Sequence, residues 1–207
     1  MSLNFFCPTK FEIPKSLSSH TQIFGIGESR SKELSKLLLQ MKIENFVVIY
    51  GCAGALNPNL KAGEIFLISG IFEDSQFHTI SIPEQLAHFP HTKLFTSKFL
   101  INSAEEKHDL YKKTGSDLVD MEMLFIWKNI SEELQKKIIF VRGISDSSEE
   151  RLDFLETVNG KIRFSKSTFI SLTKMRQLFR FIKNFSLYKK NMEKTLSEIS
   201  SLLKINK

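Results

Sequence analysis

The chain has 207 residues, 42% of them hydrophobic and 25% charged. That composition excludes an intrinsically disordered chain and suits a single domain with a substantial core. The net charge of +6 and a sequence pI near 9.2 permit attraction to anions but do not require a nucleic-acid partner. No apolar run reaches the roughly 18 residues of a membrane span. The first eight residues lack a basic start and a long apolar stretch, so no signal peptide is expected. Cys7 and Cys52 are the two cysteines, too few for a disulfide framework, which points to a reducing cytoplasm.

In chain order, Leu3 to Phe6 reads as a short strand ended by Cys7-Pro8. It delivers Glu12 to the carboxyl edge of a sheet, where open α/β folds bind ligands; a solvated loop position is the plainer alternative. Thr21 to Phe24 is a second strand, closed by Gly25-Ile26-Gly27, and Glu28 to Gln40 reads as a helix. The two glycines do not complete a dinucleotide fingerprint, because no third follows at the required spacing. Phe46 to Tyr50 is almost unbroken apolar, as a parallel strand covered on both faces should be. It runs into Gly51-Cys52-Ala53-Gly54-Ala55-Leu56, small residues that form a floor for a flat ligand or simply a tight crossing. Ile65 to Ser69 is the next strand. Residues 73–94 read as irregular, and His78, His88 and His91 within them show no zinc-ligand spacing. Leu94 to Ile101 is a strand candidate. Ser103-Ala104-Glu105-Glu106 matches a capping box, opening a helix that ends at Gly115.

Asp117 to Trp127 begins as a strand, presents Asp120 and Glu122 around Met121, and continues as an apolar helix. An ionised carboxylate removed from water without partners costs several kcal/mol. Either these acids sit at an open strand end, where a carboxylate can hold a sugar diol through two acceptor oxygens, or they cap the helix. Lys137 to Arg142 is another buried strand, leading to Gly143-Ile144-Ser145-Asp146. Asp146 is a candidate acid whose proton affinity burial or a neighbouring carboxylate would raise; helix capping is again the alternative.

Residues 160–207 read as a helical extension of the domain. Phe169, Leu172, Met175, Phe179 and Ile182 form one helical stripe, and Tyr188, Met192, Leu196, Ile199 and Leu203 a second, with a break near Asn184-Phe185-Ser186. Core-covering helices with a basic outer face are the expectation. A nucleic-acid-binding arm is the sharper alternative.

Four blocks together resemble one family: Gly51 through Glu64, Phe99-Leu100-Ile101-Asn102, Val119-Asp120-Met121-Glu122, and Val141-Arg142-Gly143-Ile144-Ser145-Asp146. In this order they are similar to the superfamily of purine nucleoside phosphorylases and methylthioadenosine/S-adenosylhomocysteine nucleosidases. The resemblance covers roughly residues 1–155 and implies an α/β fold with a mixed, partly barrel-like central sheet flanked by helices. It implies that Asp146, beside Ser145, is the acid that protonates the purine and Glu12 the residue that positions water. Phe99 would stack on the base and Leu100 would supply backbone contacts to it. Met121 would pack on the ribose and Glu122, beside Asp120, would hold its hydroxyls. Cys52, Ala53 and Gly54 would form the floor, and Ile26 would line the ribose side. No metal or other cofactor is implied; the partner would be a small nucleoside, and the assembly a homodimer.

Phosphorylases of the hexameric branch place Arg where this chain has Ile49, which makes a nucleosidase the first reading. A phosphate-dependent phosphorylase and an inactive nucleoside-binding relative are the alternatives. The spans from Ile13 to Thr21 and from Ile71 to Phe95 are short for the family, so early strands and a helix–strand unit are expected to be missing.

Overall fold

The structure, a computed structural model, describes residues 3–158, 161–164 and 171–204. Its centre is an eight-stranded mixed sheet. Five of its strands close on themselves. β3 (Val47–Ala55) pairs antiparallel with β7 (Leu118–Asp120), which pairs parallel with β6 (His91–Thr96). β6 pairs parallel with β4 (Ile65–Glu73), and β8 (Ile138–Asp146) joins β4 back to β3. The expected barrel-like sheet is therefore present. β1 (Asn4–Cys7) and β2 (Thr21–Ile23) extend it past β3, and β5 (Gln76–Thr79) borders β4.

Ring closure explains the apolar runs. β8 is buried at all nine positions, as a strand with neighbours on both edges and cover on both faces must be. One face of the sheet packs Leu34 and Leu38 of α1 (Gly27–Gln40) and Met123 and Ile126 of α3 (Met123–Trp127) against Val47, Ile49, Phe140 and Ile144. α2 (Ala104–Thr114) is capped as its sequence foretells: Ser103 Oγ accepts from the Glu106 amide, and Gly115 takes the left-handed conformation at φ 64°. A four-residue α4 (Glu132–Gln135) leads into β8.

Several expectations need correction. The 73–94 span is not irregular: it holds β5 and the start of β6. β6 ends at Thr96, so Phe99 to Ile101 lie in a loop rather than a strand. β3 runs on through the small residues to Ala55, because β8 pairs with it as far as Gly54. A hairpin, β9 (Leu155–Val158) and β10 (Lys161–Phe164), stands where a helical extension was expected to begin.

The C-terminal part also differs. It is one helix, α5 (Leu172–Lys204), with no break at 184–186. Continuity fixes one helical phase. Tyr188, Met192, Leu196 and Ile199 are fully buried on the second sheet face with Val48, Tyr50 and Val141. Extending that phase backwards brings Phe185, Phe181 and Leu178 inward, and Phe154, Phe181, Phe185 and Tyr188 form a chain of ring contacts. Leu172, Phe179 and Ile182, expected to cover core, therefore face solvent. Phe169 lies outside the described residues. None of the described helices is long and apolar enough to cross a membrane.

Candidate active site

Two acids far apart in sequence, Glu12 and Asp146, meet the carboxyl-terminal part of β3, and a third, Glu122, stands within electrostatic reach of Glu12. Glu12 sits in a 3-10 turn, Lys10–Glu12, just after β1. Its Oε2 accepts the Cys52 amide at 2.7 Å and its Oε1 the Thr9 hydroxyl at 2.7 Å. Gly51 makes this approach possible, since a Cβ there would lie 2.9 Å from Glu12 Oε2. Asp146 reaches the same strand three residues beyond Gly51, where a Cβ on Gly54 would lie 3.1 Å from its Oδ2. A side chain at 51 or 54 would thus crowd the two carboxylates.

A bulge aims the acid. The register of β3 and β8 slips between Ala53, opposite Ile144, and Gly54, opposite Asp146. Ser145 is the extra residue, and such insertions redirect the side chains beside them. Its hydroxyl lies 2.6 Å from Asp146 Oδ1 and 3.3 Å from the Ala53 carbonyl.

Glu122 ends the turn between β7 and α3. Its Oε1 accepts the Gly27 amide at 3.1 Å, at the start of α1, and its Oε2 the Met121 amide at 3.4 Å. Burial, reinforced by the charge of Asp120, pushes the Glu122 carboxyl up to about 8. Burial also raises Glu12, against the hydrogen bonds from Thr9 and Cys52. The acids share one electrostatic neighbourhood: Glu12 acts on Glu122, and both Glu12 and Asp146 act on Cys52, whose thiol burial raises well above its ordinary value.

Other expected site residues divide into two groups. Cys52, Ala53 and Gly54 form the strand beneath the acids, and Ile26 and Met121 stand beside Gly27 and Glu122, half-buried. Asp120 is turned elsewhere. Its Oδ2 takes Nε and Nη2 of Arg142 at 3.0 and 2.7 Å, and its Oδ1 takes the Thr96 hydroxyl at 2.7 Å. The Glu122 and Met123 amides complete its shell. Its oxygens are thereby spent on the fold, and the capping alternative describes it better than sugar binding. Phe99 projects from the 97–103 loop and is 76% exposed, while Leu100 packs on Leu152, Phe154 and Leu155.

Two cations had no role in the sequence reading. Arg142 is fully buried, and its only signal was a charge ending an apolar strand. Lys107 is also fully buried, and its Nζ lies 2.5 Å from Asp146 Oδ2. Nothing in the pattern of α2 distinguishes it from neighbouring lysines. The burial of Asp146 was foreseen; its neighbour is a lysine rather than a second carboxylate. A separate recess of about 250 Å³, lined by Arg151, Phe154, Arg176, Gln177 and Arg180 among others, includes none of the expected site residues.

No protein-family profile matches the chain, and no curated protein matches it in sequence. Solved structures do match. The futalosine hydrolase of Helicobacter pylori superposes with a TM-score of 0.64 at 14% identity, covering 94% of this chain and 96% of that one. The 5′-methylthioadenosine/S-adenosylhomocysteine nucleosidase of the same organism, complexed with a substituted pyrrolidin-3-ol, gives 0.64 at 13%, with 94% and 97% covered. A Chlamydia trachomatis structure described as the same kind of nucleosidase gives 0.64 at 14%, with 96% and 97% covered.

The chain has the nucleosidase fold.

The match runs over nearly the whole length of both partners, 96–97% of each of these neighbours being covered. The nucleosidase fold places the ends of β1, β3, β7 and β8 around one region, which is where Glu12, Cys52 to Gly54, Glu122 and Asp146 are found.

Proposed function

We propose that this protein hydrolyses the N-glycosidic bond of a purine-type nucleoside, such as 5′-methylthioadenosine, S-adenosylhomocysteine or a futalosine-like compound. The observation that carries the reading is that Glu12 and Asp146 meet the 51–54 backbone, with Glu122 in electrostatic reach of Glu12, within a nucleosidase fold.

The chemistry follows from the three environments. Breaking the bond leaves the base with the bonding pair and the sugar with oxocarbenium character. Asp146 protonates a ring nitrogen of the departing base, a kind of transfer worth about 10²–10⁴-fold. Glu12 keeps lone pairs beyond those used by Thr9 and Cys52, so it can orient water and take its proton. Its raised proton affinity makes it a stronger base once ionised. In this reading Glu122 would hold the ribose hydroxyls, with Met121 against the sugar and the 52–54 strand as the floor, while Phe99, on an open loop, would stack on the base and Leu100 would offer its backbone to the base edge.

Water is favoured over phosphate because the available cations are committed. Ile49 is fully buried and apolar, Arg142 is spent on Asp120, and Arg30 pairs with Glu33 at the surface. The test is incubation with a nucleoside panel, with and without phosphate, scored for free base and free sugar. Release of both without phosphate supports hydrolysis. Strict phosphate dependence would select a phosphorylase, and binding without turnover an inactive relative.

A further inference from the structure

We infer that Lys107 is a positioning residue for the acid Asp146, holding its side chain and the loop that follows it in place and stabilising the carboxylate once its proton has gone. This rests on the nucleosidase reading and adds a residue to it.

The geometry is specific. Lys107 lies on the first turn of α2, and both its side chain and that of Asp146 are almost wholly removed from water. Its Nζ makes three contacts: Asp146 Oδ2 at 2.5 Å and the carbonyls of Ser147 and Glu150 at 2.8 Å each. An ammonium has three protons to donate and no lone pair, so every donor is used and the group is held as a cation. The carbonyls come from the loop that follows Asp146, so Lys107 fixes the acid and its backbone together. That loop is held from its other side by Glu150, which accepts from the Ser147 amide and Asn184 Nδ2 and lies 3.8 Å from Arg180.

The remaining titratable groups nearby are few. Cys52 on β3 feels Asp146, and its raised thiol stays neutral. At the exposed rim His108 meets Glu149, and Arg151 meets Glu105. Lys107 is the one cation paired with Asp146 among the described residues.

During turnover Asp146 passes its proton to a ring nitrogen, the glycosidic pair leaves on the base, and the new carboxylate meets the ammonium already in place. The proton that Glu12 takes from the attacking water, whose hydroxyl goes to the sugar, passes back to Asp146 through solvent and closes the cycle.

The test compares kcat and KM of the wild-type protein, Lys107→Gln and Lys107→Arg, with Tm recorded alongside. Gln retains a hydrogen-bond donor without the charge. In Lys107→Gln kcat should fall about tenfold or more while KM changes little; Arg should restore kcat. A purely structural lysine would lower Tm and kcat and raise KM together, with no rescue by Arg. Unchanged kcat in Lys107→Gln, or an equal loss in Lys107→Arg, with wild-type protein active, overturns the inference alone. Wild-type protein inert toward every nucleoside overturns the underlying reading with it.

Discussion

Arg142 places Nε and Nη2 at 3.0 and 2.7 Å from one oxygen of Asp120, and neither side chain touches solvent. The guanidinium also donates from Nη1 to the carbonyls of Val141 and, at 3.3 Å, Ile49. Thr96 links the other Asp120 oxygen to the Leu124 amide. This network ties β8, β7, β6 and the start of α3 into one unit, and Glu122 stands at its edge. Removing one partner from a buried pair costs about 3–5 kcal/mol, because the other charge is stranded. Arg142→Met should therefore lower stability by that order in chemical denaturation. Activity should fall in the fraction that still folds, since the Glu122 turn loses its anchor.

Asp146→Asn keeps the shape but cannot deliver a proton. Base release should drop by about 10²–10⁴-fold, with nucleoside binding retained in calorimetry. Near-normal turnover in this variant would remove Asp146 from the mechanism.

Glu122 makes stability depend on pH in an unusual direction. Its carboxyl is raised from an ordinary value of 4.5 to about 8 in the fold. The folded state then binds the proton more tightly than the unfolded state. The stabilising contribution is complete below about 4.5 and is lost as pH climbs to about 8. Unliganded protein should lose up to a few kcal/mol across that window from this group. Glu122→Gln should flatten the slope in denaturation measured at a series of pH values. It should also weaken nucleoside binding.

Glu12→Gln preserves one acceptor oxygen for Cys52 or Thr9 but removes the base. We expect hydrolysis to fall by at least about 10²-fold while binding changes little. Equal loss of both would mean that Glu12 only holds the 51–54 strand in place.

Gly143 tests how the C-terminal helix is seated. A Cβ there would lie 2.4 Å from Tyr188 Cδ2 and 2.6 Å from Ile65 Cδ1. Tyr188 is fully buried, and its hydroxyl reaches the Glu12 carbonyl at 3.4 Å. Overpacking of this kind costs about 1–3 kcal/mol. Gly143→Ala should lower Tm and also disturb the Glu12 turn, visible as reduced turnover at temperatures where the protein remains folded.

The amino-acid sequence by itself determined the elements whose signal is local. The unbroken apolar strands of β3 and β8, the Ser103 cap, the Gly115 stop and the small residues beside the acids are written in composition and spacing. That Glu12 and Glu122 come just after strands was legible, as was a strand running toward Asp146, which ends β8, because strand ends collect at one edge of such a sheet. Partners were not legible, because hydrogen bonds between distant segments leave no periodic trace. Only the tertiary structure turned Asp120 from a sugar ligand into the counter-ion of Arg142. Only it set Lys107, one of several similar lysines on an ordinary helix, against Asp146. The phase of α5 was decided the same way: a single helix has one buried stripe, and docking Tyr188 to Ile199 on the sheet left Phe179 and Ile182 in water.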